Sequence, residues 1–148
     1  VNEAMLLADD LDASLAIVAK RRPGPNVAKV VEIIGDLEGK VAVMLDDMID
    51  TAGTMVEGAH GLMQRGAREV HVAATHAVLS GPAVARLEAC EAIKSVVVSD
   101  TIPLSSEKRL EKMNVFSVAP LLAAAIDHIH RDESVSVLPA GNRRPVEA

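Results

Sequence analysis

Three carboxylates and a run of small residues lie together in the stretch VAVMLDDMIDTAGT, residues 41–54. An apolar run ends at Leu45, the carboxylates Asp46, Asp47 and Asp50 follow, and TAGT comes directly after them. A helix that begins in TAGT presents unpaired backbone N–H groups and the positive end of its dipole, which favour an anion such as phosphate. Ionised carboxylates only accept hydrogen bonds, so they require donors such as sugar hydroxyls or water on a hard cation. The stretch therefore predicts two adjoining subsites, one for a polyol and one for a phosphate.

Four residues make up the predicted phosphate subsite: Thr51, Ala52, Gly53 and Thr54. Gly53 allows close approach of the backbone to a ligand, and the two threonines add hydroxyl donors. Ribose 5-phosphate has the distribution of groups that both subsites require. A second interpretation stays open at this point, because aspartates are also common in solvated turns between a strand and a helix, where they only cap the turn.

The elements that must position these residues alternate along the chain. Helical spacing covers residues 2–11, 54–65, 82–89 and 120–130, and short apolar runs typical of strands cover residues 15–19, 30–34, 41–45, 70–75, 95–98 and 115–118. Repeated strand–helix–strand units predict an α/β fold, a three-layer parallel sheet flanked by helices. Ligands of such folds bind beyond the carboxyl ends of the strands. We therefore expect four loops to share one edge: KRRPGPN, DDMIDTAGT, HAVLSG and SDTIPL.

The segment KRRPGPN, residues 20–26, carries three cations, two prolines and a glycine. Proline fixes the backbone and removes a donor, so this composition excludes a helix or a central strand and predicts a loop. On composition alone it could be an ordinary solvated basic loop.

The composition narrows the classes of function. The net charge of -6 argues against a broad surface for nucleic acid, and a single Phe with no Trp or Tyr leaves nothing for base stacking. No apolar run is long enough for a membrane span, and no signal peptide is visible. One cysteine, Cys90, cannot form an internal disulfide, which favours a cytoplasmic compartment and predicts a buried thiol at a helix end. The chain begins at Val1 within a helical pattern, which suggests a piece of a longer protein.

The acidic stretch resembles the phosphoribosyl diphosphate (PRPP) signature shared by phosphoribosyltransferases and PRPP synthetase. Further segments resemble, in order, the C-terminal half of class I PRPP synthetase, the ribose-phosphate pyrophosphokinase family. They are KRRPGPN, IIGDLEGK, THAVLSGPAVARLE, VSDTIPL, SVAPLLAAAI and ESVSVL. The resemblance covers residues 1–138 and implies one domain of the type I phosphoribosyltransferase-like fold. The polar, proline-bearing residues 139–148 are expected to form a disordered tail.

The resemblance implies transfer of the diphosphoryl group of ATP to the C1 hydroxyl of ribose 5-phosphate, giving PRPP and AMP with Mg²⁺. Lys20 matches the family's catalytic lysine on a mobile loop, and Arg22 matches its partner, which also contacts ribose 5-phosphate. Asp46 and Asp50 match the residues that hold the ribose hydroxyls, with Asp47 beside them, and Asp50 begins the phosphate loop. Fixed cations that close over transferring phosphoryl oxygens stabilise the charge that develops there.

The family also implies a homo-oligomer, a hexamer built from dimers. ESVS resembles part of a regulatory phosphate site between subunits, which makes Ser134 and Ser136 candidate regulatory residues. His76 lies just past a predicted strand, and two roles stay open for it, structural hydrogen bonding and substrate contact. The family's N-terminal domain and a pyrophosphate loop of the form Asp-x-Gly-Gly are not in this sequence, so no confident metal ligand is assigned and the chain alone is expected to be inactive.

Two alternatives to a catalytic fragment remain. One is a non-catalytic regulatory or assembly homologue of PRPP synthetase, and the presence of Lys20, Arg22, Asp46 and Asp50 argues against it. The other is a phosphoribosyltransferase, which needs a base-binding hood that no segment here suggests.

Overall fold

The structure is a computed structural model that describes residues 2–21 and 30–138. It divides into two compact units, Val1–Phe116 and Ser117–Ala148. The helices are α1 (Asn2–Asp10), α2 (Gly53–Gln64), α3 (Ala83–Ala89) and α4 (Ala119–His130). The strands are β1 (Ile17–Arg21), β2 (Val30–Ile34), β3 (Val41–Ile49), β4 (Glu69–Ala77), β5 (Ile93–Ser99) and β6 (Met113–Phe116). Short 3₁₀ turns cover Ser106–Lys108 and Val135–Val137.

A four-stranded parallel sheet in the order β3-β4-β5-β6 forms the centre of the first unit. Its inward side chains are aliphatic and β-branched, as buried parallel strands require. Together with residues of α2 and α3 they form one apolar core, in which the following strand residues are almost fully buried: Val70, Val72, Val96 and Val98. The predicted α/β fold, a parallel sheet flanked by helices, is confirmed.

The first two predicted strands, residues 15–19 and 30–34, are not part of this sheet, and here the sequence-based prediction was wrong. β1 pairs antiparallel with β2 in a separate two-stranded sheet, from Ile17 opposite Ile34 to Arg21 opposite Val30. Only eight residues separate the two strands, whereas a parallel crossover needs a dozen or more, so the chain can pair only by turning back on itself. β1 also extends through Lys20 and Arg21, the first two residues of the predicted loop, and residues 22–29 lie outside the described residues.

β3 and β4 are longer than their apolar runs. β3 continues to Ile49 and β4 to Ala77, with Asp46 opposite Ala74 and Met48 opposite His76. The ladder is made by backbone groups, so it continues where the side chains become polar and the apolar pattern ends. Asp46, Asp47 and His76 are therefore strand residues, not turn residues as predicted, and the turn after β3 begins at Asp50.

α2 ends as the sequence predicts, at a glycine. Gly66 has φ +89° and follows the C-cap Arg65, its N–H donates to Met63 O at 3.1 Å, and Ala67 N–H donates to Leu62 O at 3.1 Å. These two bonds form a Schellman motif, which satisfies carbonyls at the end of α2 and directs the chain into β4.

Gly66→Ala is expected to lower the free energy of unfolding by about 1 to 2 kcal/mol, because a left-handed backbone disfavours a Cβ. A Cβ at this position also meets Glu38, whereas Gly39, at φ +69°, has nothing within 4 Å of its Cβ position. Gly39→Ala therefore serves as a control that carries the backbone strain alone. Urea unfolding should show a larger loss for Gly66→Ala than for Gly39→Ala, and equal losses would contradict a role for the Glu38 contact.

The second unit consists of α4 and the 3₁₀ turn Val135–Val137. Pro120 lies in the first turn of α4, where a missing N–H costs nothing, and Asp127 pairs with Arg131 at 3.0 Å near its end. The predicted tail, residues 139–148, lies outside the described residues. Across the part of the chain that the structure describes, every helix is too short or too polar to cross a membrane.

Candidate functional site

The turn between β3 and α2 forms the start of the candidate site. α2 begins at Gly53, inside TAGT as predicted, and its N-cap is Ala52, with φ 59° and a buried side chain. A left-handed alanine is a sparsely populated conformation, so the surrounding contacts must hold it. The alanine side chain cannot cap the helix, and no acidic residue lies in its first turn. The segment Asp50–Thr54 is called here the phosphate loop, after the ligand predicted from the sequence. It leads into the start of a helix, where backbone N–H groups favour an anion.

The three carboxylates lie in different surroundings. Asp46 is half-buried on the side of β3 that also carries Ala42 and Met44, and its carboxylate accepts a hydrogen bond from Asp47 N–H at 2.9 Å. Asp47 is exposed, and by strand alternation its side chain lies on the opposite side. Asp50 lies in the turn. The structure thus places the side chains of Asp46 and Asp47 on opposite sides of β3, whereas the sequence alone predicted both in one turn.

A cavity of about 340 Å³ lies between α1, the start of β1 and β3. Its walls are mainly apolar, and Asp46 and Thr54 line it together at the carboxyl end of β3. Asp36 and Lys40 line it near the other end of β3, where a 2.9 Å hydrogen bond to Lys40 and its positive charge hold the pKa of Asp36 below its usual value. One carboxylate and one threonine of the predicted site are therefore brought to the same cavity.

The phosphate loop is held from the segment that follows β4. Leu79 N–H donates to Ile49 O at 2.9 Å, and Ser80 N–H donates to Asp50 O at 3.0 Å. The Ser80 hydroxyl also donates to the Asp50 carboxylate. These bonds fix Asp50 at the end of β3 and join the two loops, as the shared edge of a parallel sheet predicts.

A cation that the sequence interpretation missed lies beside the same loop. Arg86 on α3 donates from Nη1 to Thr51 O at 3.0 Å, and its Nη1 lies 3.4 Å from the position that a Cβ on Gly53 would take. Ser80 belongs to the loop HAVLSG, which is expected at the carboxyl edge of the sheet, but the sequence indicates no role for it. Arg86 lies within the predicted helix 82–89, where an arginine is usually a solvated surface residue. Only the packing of α3 beside the phosphate loop reveals its place.

His76 takes part in a hydrogen-bond network at the ends of β4 and β5. Its Nδ1 lies 2.9 Å from Thr101 Oγ1, and that hydroxyl donates to Thr75 O at 3.2 Å. Ser99 Oγ donates to the same carbonyl at 2.6 Å. A structural hydrogen bond is thus present at His76, which is one of its two predicted roles.

The predicted catalytic pair falls largely outside the described residues. Lys20 lies in β1, the strand whose Ile17 and Val18 line the cavity, but its side chain is outside the described part, and Arg22 is wholly outside it.

The candidate regulatory serines bond to each other in the second unit. Ser134 Oγ and Ser136 Oγ are 2.6 Å apart, and Ser134 Oγ also accepts from Ser136 N–H at 3.3 Å, capping the 3₁₀ turn.

Two further sequence predictions concern metal ligands and the thiol. Among the described residues, no group of three or more His, Cys, Asp or Glu side chains could hold a metal ion. Mg²⁺ commonly takes only one or two carboxylates and completes its shell with water and substrate phosphates, so these residues alone do not build a magnesium cage. Cys90 is buried at the end of α3, 3.8 Å from His60 Nε2, which confirms the predicted buried thiol.

Comparison with known proteins relates this chain to enzymes that synthesise phosphoribosyl diphosphate. The model of the phosphoribosyl synthetase-associated domain family matches residues 10–139. The ribose-phosphate pyrophosphokinase of Caldanaerobacter subterraneus subsp. tengcongensis is 54% identical over 138 residues, and that of Bacillus subtilis (strain 168) is 51% identical over the same length. Each alignment covers 93% of this chain and 43% of the relative.

The fold of a solved structure also matches. The crystal structure of phosphoribosylpyrophosphate synthetase from Mycobacterium smegmatis superposes with a TM-score of 0.80 at 38% identity, covering 89% of this chain and 42% of that chain. The chain thus spans less than half the length of the proteins it matches.

Proposed function

The chain belongs to the phosphoribosyl synthetase-associated domain family, and on that premise we propose that it is the ribose 5-phosphate-binding part of a ribose-phosphate pyrophosphokinase. The reaction is transfer of the β,γ-diphosphoryl group of ATP to the C1 hydroxyl of ribose 5-phosphate, giving PRPP and AMP. The observation that carries the proposal is the phosphate loop at the start of α2, held by Ser80 at Asp50 and by Arg86 at Thr51, in a chain about half identical to enzymes of that name.

Each residue of the site has a proposed role. Carboxylates accept from the ribose hydroxyls, a role that we assign to Asp46 and Asp50, with Asp47 nearby. The backbone and hydroxyls of Thr51, Ala52, Gly53 and Thr54 bind the 5-phosphate, since helix N-termini favour anions.

The proposed catalytic pair is Lys20 and Arg22. Lys20 lies in β1, whose Ile17 and Val18 line the cavity, and Arg22 comes two residues later in the sequence. Both cations would stabilise charge on the transferring diphosphoryl group. Mg²⁺, when bound to the ATP phosphates, would neutralise part of that charge, and this chain would contribute at most one or two carboxylates to it.

We also propose, from the family resemblance, that the protein assembles as a homo-oligomer in the cytoplasm and that Ser134 and Ser136 belong to a regulatory phosphate site. A single buried cysteine suits a reducing compartment. Light scattering after size exclusion would measure the mass of the assembly.

The 148-residue chain alone is expected to release no AMP from ATP and ribose 5-phosphate, because it spans 43% of the length of the enzymes it matches. The measurement is an AMP-release assay with Mg²⁺, with the full-length Bacillus subtilis relative as the positive control. Sustained turnover by these residues would contradict the proposal that further parts of the enzyme are needed.

A further inference from the structure

We propose that Arg86 is a phosphate-binding residue of this site. It would add a positive charge to the start of α2, and it lies outside the stretch DDMIDTAGT from which the phosphate subsite was predicted. The inference rests on the proposed function, because it takes the 5-phosphate of ribose 5-phosphate as the anion bound at the start of α2. It adds to that function a ligand supplied by α3.

The position of Arg86 is fixed by the phosphate loop. Its Nη1 donates to Thr51 O at 3.0 Å, one residue before the left-handed N-cap Ala52. The same nitrogen lies 3.4 Å from the Cβ position of Gly53, the first residue of α2. The guanidinium group therefore sits against the backbone where the helix begins.

The chemistry of the group suits a phosphate. A guanidinium carries five N–H donors in a rigid plane and binds phosphate oxygens in pairs. Only one donor of Arg86 is engaged by another described residue, the bond to Thr51 O. The side chain is exposed, so the other donors can reach a ligand, and the cation adds to the positive end of the helix dipole.

Gly53 of TAGT shows how near the arginine lies to the start of α2. A Cβ at this position would be in ordinary van der Waals contact with Arg86 Nη1, at 3.4 Å. Gly53 does not have a positive φ, so its backbone conformation does not require a glycine.

Ser80 has a different role, because it acts on the sugar side of the site. Its N–H and hydroxyl both donate to Asp50. Ser80 is thus a positioning residue for the proposed ribose carboxylate, whereas Arg86 acts on the phosphate. The two residues are therefore expected to act on different subsites, Ser80 on the ribose side and Arg86 on the phosphate side.

Calorimetric titration of the 148-residue chain with ribose 5-phosphate tests the inference, and NMR titrations with ribose and with inorganic phosphate serve as the other arms. Arg86→Gln should weaken ribose 5-phosphate and phosphate binding about 10-fold or more, since charge-assisted bonds to phosphate are lost, and should leave ribose binding within about 2-fold. Arg86→Lys keeps the positive charge without the planar guanidinium group. Its affinity for ribose 5-phosphate should lie between the affinities of the parent chain and of Arg86→Gln. Arg68→Gln, another exposed arginine, is the matched control and should bind as the parent chain does.

The salt dependence separates phosphate binding from a purely structural role. Affinity for ribose 5-phosphate should fall less steeply with added NaCl in Arg86→Gln than in the parent chain, because one screened charge contact is gone. Equal affinity and equal salt dependence in the two proteins would overturn the inference and leave the proposed function standing. A folded parent chain that binds no ribose 5-phosphate would overturn both. A variant whose loss extends equally to ribose would also overturn it, since Arg86 would then only support the loop.

Discussion

Asp50→Ala is expected to weaken binding of ribose 5-phosphate to this chain about 100-fold. The proposed carboxylate accepts from two ribose hydroxyls, and each charge-assisted hydrogen bond contributes about 1.5 kcal/mol or more. Ser80 donates to Asp50 through both its hydroxyl and its backbone N–H, so the carboxylate is held in place before a ligand arrives. Calorimetric titration measures the loss.

Two further variants make this prediction specific. Asp50→Asn keeps the shape of the side chain without its charge and should retain part of the affinity. Asp9→Asn, an exposed aspartate on α1, should leave the affinity unchanged. Binding by Asp50→Ala within about 3-fold of the parent chain would contradict the assignment of Asp50 to the ribose hydroxyls.

Lys20→Ala is expected to lower kcat about 1000-fold in a full-length enzyme that contains this chain, with little change in the affinity for ribose 5-phosphate. The lysine is proposed to stabilise charge that develops only in the transition state, and a single preorganised donor of that kind is worth about 100- to 1000-fold in rate. A suitable enzyme is a chimera in which the 138 matching residues of the Bacillus subtilis relative are replaced by those of this chain. Steady-state AMP release gives kcat and KM separately.

The unaltered chimera should turn over, since the exchanged segments are 51% identical. Lys94→Ala, at an exposed lysine of β5, is the matched control and should keep the rate of the chimera. A Lys20→Ala chimera with normal kcat and a raised KM would show a ground-state binding role and contradict the catalytic one.

The parallel sheet could be predicted because apolar runs alternate with helical patterns along most of the chain. The ends of the strands could not, since the backbone ladder of β3 continues through Asp46 and Asp47 after the apolar pattern has stopped. That difference matters for the site, because strand geometry puts Asp46 on the cavity side and Asp47 on the other.

The wrong position of β1 has a similar cause. Its apolar run has the composition of a buried parallel strand, and composition does not reveal the partner. The short separation from β2 decides in favour of an antiparallel pair, and that constraint becomes visible only when both strand ends are known.

The start of α2 was predicted within one residue, whereas the residues that hold the preceding turn were not predicted. TAGT starts α2 within a residue of the predicted position, because a small-residue turn after a strand is a local signal. Ser80 and Arg86 come from 30 and 35 residues further along the chain, and only the three-dimensional packing brings them to Asp50 and Thr51. Long-range partners of this kind leave no local pattern in a single sequence.

The most direct measurement is titration of the folded 148-residue chain with ribose 5-phosphate, with ribose and inorganic phosphate measured in parallel. We expect saturable one-to-one binding of ribose 5-phosphate, binding of ribose at least about 10-fold weaker because the phosphate contacts are missing, and competition by inorganic phosphate. A chain that is folded by circular dichroism and binds ribose and ribose 5-phosphate equally, or binds neither, would contradict the central claim that the start of α2 and Asp50 form a ribose 5-phosphate site.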